Sequence, residues 1–361
     1  MKILYLLFSF TTGGTERLVT DMAREMVLRG HEVHLYIVND RVDESMLAGL
    51  DPAVHVELQG RPVGGGGRLG VLFRIARYIR KHRIDVVHGN SIHVPELLLL
   101  HPILYPGVRI VQTVHAVCKK GELSRAQWWI RNHLCDCLIA ISDSVRLSMI
   151  AMGADSRKVK IVYNGVDLSR FQVSEEERPH TPVRIAHVAR IMPEIKGQDV
   201  LIRALARLQN THPETECYFA GAYDREHEEA YQELVGLAKE LGVESKVHFL
   251  GNVEDVPGFL QTVDIFALPS HCEGFGISLI EAMAMEIPCI ASRLDGPAEL
   301  IGREKYGRLF PAGDDEALAE GLAAMIAAYP EERQRAALAR AQVEKRFSMS
   351  TMAEKLLSVY Y

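Results

Sequence analysis

Short apolar runs alternate with amphipathic stretches through both halves of the chain, and this alternation limits the possible fold more than any other feature. Residues 3–8 are apolar throughout, residues 15–29 place Leu18 and Met22 at helical spacing, and residues 31–38 again have the pattern of a strand. Such a repeat predicts strands buried on both faces and joined by helices that cross over the sheet. The sequence therefore predicts an α/β fold with parallel sheets.

Two domains are expected, because 361 residues exceed what one core usually supports. Residues 174–182 contain three consecutive glutamates and two prolines without apolar periodicity, which predicts a hinge linker. We predict domains at 1–173 and 183–346 and a terminal helix at 347–361. Further strands are expected at 86–88, 110–114, 137–141 and 159–163 in the first domain, and at 184–187, 217–220, 246–250, 265–267, 289–292 and 308–310 in the second.

Charge is distributed unevenly between the halves. Residues 1–170 contain 22 Lys and Arg against 16 Asp and Glu, which leaves 19 against 31 in the remainder. The excess of positive charge in the first half indicates a surface that binds an anionic partner. The alternative interpretation is that these charges are scattered over the solvated surface.

Cysteine usage is typical of a reducing cytoplasm. The six cysteines lack the Cys-x2-Cys spacing of zinc sites, and Cys135-Asp-Cys137 is a weak metal or redox signal against ordinary buried thiols. The first apolar run is interrupted too early for a signal peptide, and no run is long enough for a membrane span. We expect a cytoplasmic protein, with the inner face of the plasma membrane as a peripheral location.

The segment 269–285 carries most of the functional information. Gly274 and Gly276 allow backbone to approach a ligand closely, because no side chain intervenes and positive φ is permitted. The amides of Phe275, Gly276 and Ile277 are then expected to point out of a helix N-terminus, where the macrodipole favours an anion. This loop predicts a phosphate-binding site.

Two carboxylates, Glu273 and Glu281, accompany this loop. Carboxylates accept hydrogen bonds from paired hydroxyls, so together with the phosphate site they predict a sugar-nucleotide pocket. The segment resembles the Glu-x7-Glu signature of retaining glycosyltransferases of the glycogen-synthase-like and mannosyltransferase-like group. That resemblance implies that Glu281 holds the nucleotide ribose and Glu273 lies against the donor sugar.

Other motifs stand in the same order as in that family, which is the family-4 (glycosyl transferases group 1) type. The resemblance implies a GT-B fold, in which two Rossmann-like doubly wound domains face each other across a cleft. It also implies acceptor binding by the first domain, donor binding by the second, and a terminal helix that packs back on the first domain. The motifs are Gly13-Gly14 with Glu16, Asn164 to Asp167, Ala189-Arg190, Lys196-Gly197, and Phe249 to Gly251.

Arg190 and Lys196 follow the first strand of the second domain, where one loop can direct both cations at a pyrophosphate. Both can neutralise the charge that builds on a departing nucleoside diphosphate, and a solvated pair at a helix start is the alternative. The segment 194–197 carries an insertion relative to the family pattern, so the reach of Lys196 is left open.

Gly13, Gly14 and His115 are the candidate site residues of the first domain. The two glycines follow the first strand, and their backbone can approach a phosphate or the acceptor, although a plain tight turn also explains them. His115 ends a predicted strand and resembles the family histidine that faces the donor sugar. Without the resemblance, a structural histidine is the better interpretation.

We expect no metal or other cofactor, and the nucleotide sugar is a substrate. No Asp-x-Asp stands at a strand end, and Asp314-Asp315 is better suited to helix capping. Cationic side chains and helix N-termini are expected to take the place of a divalent ion on the diphosphate. The resemblance favours a same-face displacement, in which the leaving phosphate helps deprotonate the acceptor, over a covalent glycosyl-enzyme at Glu273.

Residues 68–83 predict a basic amphipathic helix, because six cations alternate with apolar residues such as Phe73. Core packing is the default for the apolar residues. The cations favour contact with an anionic membrane surface. We expect this surface to be extended by Arg125, Trp128, Trp129 and Arg131.

The sequence therefore predicts a retaining glycosyltransferase that moves a hexosyl unit from a nucleotide sugar to a glycan or lipid-linked saccharide in cell-surface polysaccharide or lipopolysaccharide synthesis. A UDP-sugar is the first choice of donor and GDP-mannose the second. The alternatives are a GT-B nucleotide-sugar epimerase and a non-catalytic nucleotide-sugar-binding subunit, and the joint presence of Arg190, Lys196, Glu273 and Glu281 argues against the subunit. No nucleic-acid partner is expected.

Overall fold

A computed structural model of the protein describes residues 1–65, 68–173, 181–223 and 228–361. The chain divides into two compact units. Unit 1 comprises Met1–Gly165 with Met349–Tyr361, and unit 2 comprises Val166–Ser348.

The chain enters unit 2 at Val166, whereas the predicted domain boundary lies at residue 173. Val166 belongs to unit 2 because it forms a parallel bridge with Ser348 and its N–H donates to the Phe347 carbonyl at 2.8 Å. Of the predicted linker at 174–182, only the last two residues lie within the described ranges.

Unit 1 is built on a parallel sheet, which has seven strands within the described residues. The strands are β1 (Lys2–Leu7), β2 (Glu32–Asn39), β3 (His55–Arg61), β4 (Val86–Gly89), β5 (Arg109–Val114), β6 (Cys137–Ala140) and β7 (Val159–Ile161). Their order in the sheet is β3-β2-β1-β4-β5-β6-β7, so the winding reverses between β1 and β4. Ligand crevices in such sheets form at the carboxyl ends of the strands beside the reversal.

Helices connect these strands. They are α1 (Gly14–Leu28), α2 (Glu44–Ala48), α3 (Arg68–His82), α4 (His101–Leu104), α5 (Arg125–Leu134) and α6 (Asp143–Met152), with a 3-10 helix at Val94–Leu97. The first of them begins directly after Gly13, as the sequence predicts.

Unit 2 is also a parallel α/β unit, and its sheet has six strands within the described residues. The strands are β8 (Arg184–Val188), β9 (Glu216–Ala220), β10 (Val247–Gly251), β11 (Ile265–Leu268), β12 (Cys289–Ser292) and β13 (Arg308–Phe310). Their order is β10-β9-β8-β11-β12-β13, with the reversal between β8 and β11. The helices are α7 (Pro193–Lys196), α8 (Gln198–Leu208), α9 (Glu228–Glu240), α10 (Val256–Leu260), α11 (Ile277–Ala284), α12 (Asp295–Ile301), α13 (Asp315–Ala327) and α14 (Tyr329–Arg346), with a 3-10 helix at Glu244–Lys246.

The predicted α/β fold class and its parallel strands are confirmed. Each predicted strand is present within a residue or two of its expected position, because central strands are covered on both faces and are therefore mainly apolar along their length. β3 is an additional strand that the sequence analysis did not predict. Asp314 caps α13 by accepting the Ala317 N–H at 2.9 Å, as expected.

The last helix, α15 (Met349–Tyr360), belongs to unit 1. The Tyr360 hydroxyl lies 2.5 Å from Nδ1 of His88, which is fully buried on β4, and Nε2 of His88 lies 2.6 Å from the Thr113 hydroxyl on β5. Burial lowers the pKa of His88 to about 3, so this histidine is neutral in the folded protein. The helix therefore completes the core of unit 1.

The basic helix predicted at 68–83 forms α3. The apolar residues Leu72, Ile75 and Ile79 are buried, which confirms core packing for them. Phe73 is an exception, because 58% of its surface is exposed. None of the helices in the described ranges has both the length and the apolar character needed to cross a membrane.

The expected extension of this surface by Trp128 and Arg131 is wrong. Both side chains are buried, and the Arg131 guanidinium donates to Glu96 Oε1 at 3.0 Å and to the Ile92 carbonyl while lying 6.0 Å from the Trp128 ring centre. A buried arginine needs such partners, and Glu96 supplies the opposite charge. Trp129 is 62% exposed, and its part in a membrane-facing surface stays a prediction.

Cys135 and Cys137 are buried thiols. Burial raises the pKa of Cys135 to about 12 and that of Cys137 to about 11, which keeps both protonated at neutral pH. Ordinary buried thiols are therefore favoured over the metal or redox interpretation of this pair.

Candidate active site

The candidate site of unit 2 lies at the carboxyl ends of β8 and β11, where the strand order reverses. The loop after β8 carries Arg190 and Lys196, and the loop after β11 carries Glu273 and leads into α11. Because these strands are neighbours in the sheet, motifs far apart in sequence meet at one edge.

The two loops are joined by backbone contacts. The N–H groups of His271 and Cys272 both donate to the Ile195 carbonyl, at 2.8 and 3.2 Å. Gly197 has φ +67, and a Cβ at this position would overlap the carbonyl oxygen of Pro269 and lie 2.9 Å from its carbonyl carbon. Only glycine accepts both the positive φ and this close approach without displacement.

Lys196 reaches Glu273 across this contact. Its Nζ lies 2.9 Å from Glu273 Oε2, and the side chains are 25% and 15% exposed. The segment 194–197, which carries the insertion, lies in the one-turn helix α7 and its C-cap residue Gly197, and Lys196 at the end of this helix contacts the loop after β11. The reach of Lys196 to a pyrophosphate stays a prediction.

The loop after β11 ends in the N-terminus of α11. Gly276 has φ +106, and its carbonyl accepts the first helical bonds from Leu279 and Ile280 at 3.1 and 3.2 Å. The N–H groups of Ile277 and Ser278 precede these bonds, so they belong to the helix end that carries partial positive charge. This end is chemically suited to a phosphate group.

The loop is held from behind by tight packing. Phe275 is buried, with its ring centre 5.8 Å from that of Phe347 in an edge-on arrangement. A Cβ on Gly296 in α12 would lie 2.7 Å from the Gly274 carbonyl oxygen, so α12 lies directly against the backbone of the loop. Glu281 lies in the second turn of α11 and is half-buried.

Arg190 is exposed at the start of the loop after β8, and its backbone is fixed on two sides. The Gln198 side-chain amide donates to the Arg190 carbonyl at 2.8 Å, and a Cβ on Gly221 would lie 2.5 Å from the Ala189 carbonyl carbon. The loop that carries both candidate cations is therefore held to α8 and to the end of β9.

The remaining candidates belong to unit 1. Gly13 has extended backbone immediately before α1, Gly14 is its exposed first residue, and half-buried His115 follows β5. Nε2 of His115 lies 3.3 Å from Asn90 Oδ1, and burial lowers the pKa of His115 to about 4. The roles given to Gly13, Gly14 and His115 stay predictions.

Sequence reasoning missed three polar residues that support these sites. His187 on β8 is fully buried with Nδ1 2.9 Å from the Ala267 carbonyl oxygen, and burial together with the Lys196 charge lowers its pKa to about 4. Gln198 and Asn90 are the other two. Asn90 directly follows β4, and polar residues at strand ends are the signal that was available to find it.

Two family models match the chain. The model described as Glycosyltransferase Family 4 matches residues 12–170, and the model described as Glycosyl transferases group 1 matches residues 169–342. Together they account for most of both units.

Relatives and solved structures agree with these matches. The chain is 28% identical to the D-inositol 3-phosphate glycosyltransferase of Salinispora tropica, with 96% of this chain and 80% of that protein covered. It is 28% identical to the phosphatidyl-myo-inositol mannosyltransferase of Mycobacterium leprae, with 96% and 92% covered. HepE of Anabaena, crystallised with UDP and glucose, has a similar fold with a TM-score of 0.84, 23% identity and 99% and 98% coverage.

Proposed function

The chain belongs to the glycosyl transferases of group 1 and family 4, and from this premise we propose that it is a retaining hexosyltransferase that uses a nucleotide sugar. One observation carries the proposal: Lys196 forms an ion pair with Glu273, which lies in the loop that leads into the N-terminus of α11. This arrangement brings a cation, helix amides and a carboxylate to one place. A glycosyl diphosphate needs all three, because it combines a dianion with sugar hydroxyls.

In the proposed reaction, the bond between the anomeric carbon and the diphosphate oxygen breaks while the acceptor hydroxyl oxygen bonds to the same face of that carbon. The acceptor proton passes to a leaving phosphate oxygen. Lys196, Arg190 and the amides at the start of α11 stabilise the negative charge that accumulates on the diphosphate. Glu281 binds the ribose hydroxyls and Glu273 binds the donor sugar.

The contact of Glu273 with Lys196 supports a binding role for this carboxylate rather than a nucleophilic one. A carboxylate held in an ion pair is less nucleophilic than a free one, and its second oxygen is available to accept from a hydroxyl. Binding of the diphosphate is expected to compete for Lys196 and release Glu273 towards the sugar. No divalent metal enters this scheme.

A UDP-sugar is the proposed donor, and the fold likeness to HepE, which was crystallised with UDP and glucose, supports it. GDP-mannose is the second choice, in view of the relative named as a mannosyltransferase. The proposed acceptor is a glycan or lipid-linked saccharide in cell-surface polysaccharide or lipopolysaccharide synthesis.

We propose that unit 1 meets an anionic lipid surface on the cytoplasmic side. Leu69 and Phe73 on α3 and Ile103 on α4 are 72%, 58% and 78% exposed. Arg77, Arg80 and Lys81 are exposed on α3, and they share a shallow depression with Phe73 and Leu104. Exposed apolar side chains beside a row of cations suit a headgroup layer.

The test is nucleotide release by the purified chain from UDP-glucose, UDP-galactose and GDP-mannose, with and without lipid-linked acceptors. We expect Lys196→Ala to lower kcat about 100-fold or more, as loss of a charge-stabilising donor does in other enzymes. Lys239→Ala is the matched control, because it removes an exposed lysine from α9 of the same unit. The proposal fails if Lys196→Ala keeps wild-type kcat with the preferred donor, or if the product anomer is inverted by NMR.

A further inference from the structure

Unit 1 contains a second group of ligating side chains, at the opposite end of its sheet from the strand ends discussed above. Glu32 and His34 lie at the start of β2, and His55 is the first residue of β3. One ligand atom from each of the three residues lies within 4.8 Å of the other two. The group is therefore separate from the residues assigned to the transfer reaction.

Strand register brings these side chains together. His34 pairs directly with His55 in the parallel ladder between β2 and β3, and Glu32 precedes His34 by two residues and so shares its face. Nε2 of His34 lies 3.0 Å from Glu32 Oε1, and the ring centres of His34 and His55 are 4.8 Å apart. Two imidazoles and one carboxylate thus converge on one face of the sheet.

The orientation of His34 is set by α3, which covers this face. Nδ1 of His34 lies 2.9 Å from the Tyr78 hydroxyl, so the other ring nitrogen is directed at Glu32. Metal-binding histidines are commonly held in this way by a second hydrogen bond.

We propose that Glu32, His34 and His55 bind a divalent transition metal ion, and that Zn²⁺ is the ion they match best. Two imidazole nitrogens and a carboxylate oxygen are a common ligand set for zinc, and water can complete a tetrahedron. Zinc bonds of about 2.0–2.2 Å require ligand atoms about 3.3 Å apart, so the group has to contract on binding. His55 is exposed and can rotate inward, whereas His34 is already fixed.

Lys2 provides the contact that a metal ion has to compete with. Its Nζ lies 2.9 Å from Glu32 Oε1, the same oxygen that faces His34. A bound metal ion repels the Lys2 ammonium and competes with it for the Glu32 carboxylate. Removal of the Lys2 charge should therefore raise the affinity for the metal. A purely structural ion pair predicts no such gain.

The experiment is a zinc titration of the full chain after chelator treatment, with a chromophoric chelator as competitor and the melting temperature as a second measurement. The background variant Cys272→Ser removes the exposed thiol among the described cysteines. We expect the parent protein to bind one equivalent of zinc and its melting temperature to rise by a few degrees on binding. His55→Ala should lower the zinc affinity at least tenfold, and Lys2→Met should raise the zinc affinity severalfold. His133→Ala, an exposed histidine of the same unit, should leave the affinity unchanged.

Zinc that fails to bind at micromolar concentration overturns the proposal. It is equally overturned if His55→Ala and His133→Ala bind zinc as the parent does, or if Lys2→Met weakens the affinity. His55 is exposed, so its replacement should leave the fold intact, and circular dichroism of each variant checks this.

Discussion

Substitution of Gly197 by alanine tests the contact that places Lys196 beside Glu273. Gly197 has φ +67, and a Cβ there would lie 2.9 Å from the Pro269 carbonyl carbon and closer still to its oxygen. Carbon atoms pack at about 3.5–4.0 Å, so the loops after β8 and β11 have to separate by about 1 Å. That movement stretches both hydrogen bonds to the Ile195 carbonyl.

The expected magnitude is the sum of two effects. The left-handed backbone costs a non-glycine residue about 1–2 kcal/mol, and each weakened hydrogen bond costs about 1 kcal/mol. We therefore expect the free energy of unfolding to fall by about 3–4 kcal/mol. A displacement of about 1 Å at the reacting groups also lowers kcat by about 100-fold.

Two glycines of the same unit serve as matched controls. Gly242 has φ +69, and a Cβ added there would meet no atom of the described residues within 4 Å, so Gly242→Ala reports the backbone strain alone. Gly236 lies in α9, its φ is not positive, and a Cβ added there would also meet no atom of the described residues within 4 Å. Gly236→Ala should therefore stabilise the unit by about 0.5–1 kcal/mol. Both controls should retain wild-type kcat.

The assays are urea denaturation and nucleotide release, performed on the three variants in parallel. The difference between Gly197→Ala and Gly242→Ala isolates the contact with Pro269. The reasoning is refuted if these two variants lose equal stability and Gly197→Ala transfers sugar at the wild-type rate.

Three further predictions concern metal, acid and lipid. Excess chelator should leave the rate of transfer unchanged, and a complete, magnesium-reversible loss of activity would contradict this. The free energy of unfolding of unit 2 should fall by about 2 kcal/mol between pH 7 and pH 5, because the fold favours neutral His187 whereas the unfolded chain takes up a proton on this residue below about pH 6.5. Denaturation of His187→Gln at both pH values should show a smaller fall in this free energy. An equal fall in the variant counts against the assignment. Arg77→Glu with Arg80→Glu should abolish co-sedimentation with anionic liposomes at low salt, and wild-type protein that stays in the supernatant would rule out the lipid surface.

The strands that could be predicted from the sequence are the buried ones. Interior strands such as β1 and β11 are covered on both faces, so their apolar runs are visible in the sequence. β3 lies at the sheet edge and reads His-Val-Glu-Leu-Gln-Gly-Arg, with Val56 and Leu58 40% and 48% exposed. An exposed edge strand requires no apolar pattern, so it was missed, and with it the pairing of His34 with His55.

The candidate site divides in a similar way. The loop at Gly274 and Gly276 could be predicted, because its geometry depends on neighbouring residues and on the helix that follows. The contact of Lys196 with Glu273 depends on β8 and β11 being adjacent, which the motifs do not encode. Gln198 and His187 act by holding backbone carbonyls, and this role leaves no distinctive pattern in the sequence.

The return of α15 to unit 1 has a consequence for synthesis of the protein. Tyr360 contacts His88 in the core of unit 1, but it is translated only after all of unit 2. The first half of the nascent polypeptide therefore emerges with an incomplete core and waits for its last segment, while unit 2 can close as soon as Ser348 has been made. Premature termination just before α15 is thus expected to expose the earlier-made half, rather than the later one, to chaperones and proteases.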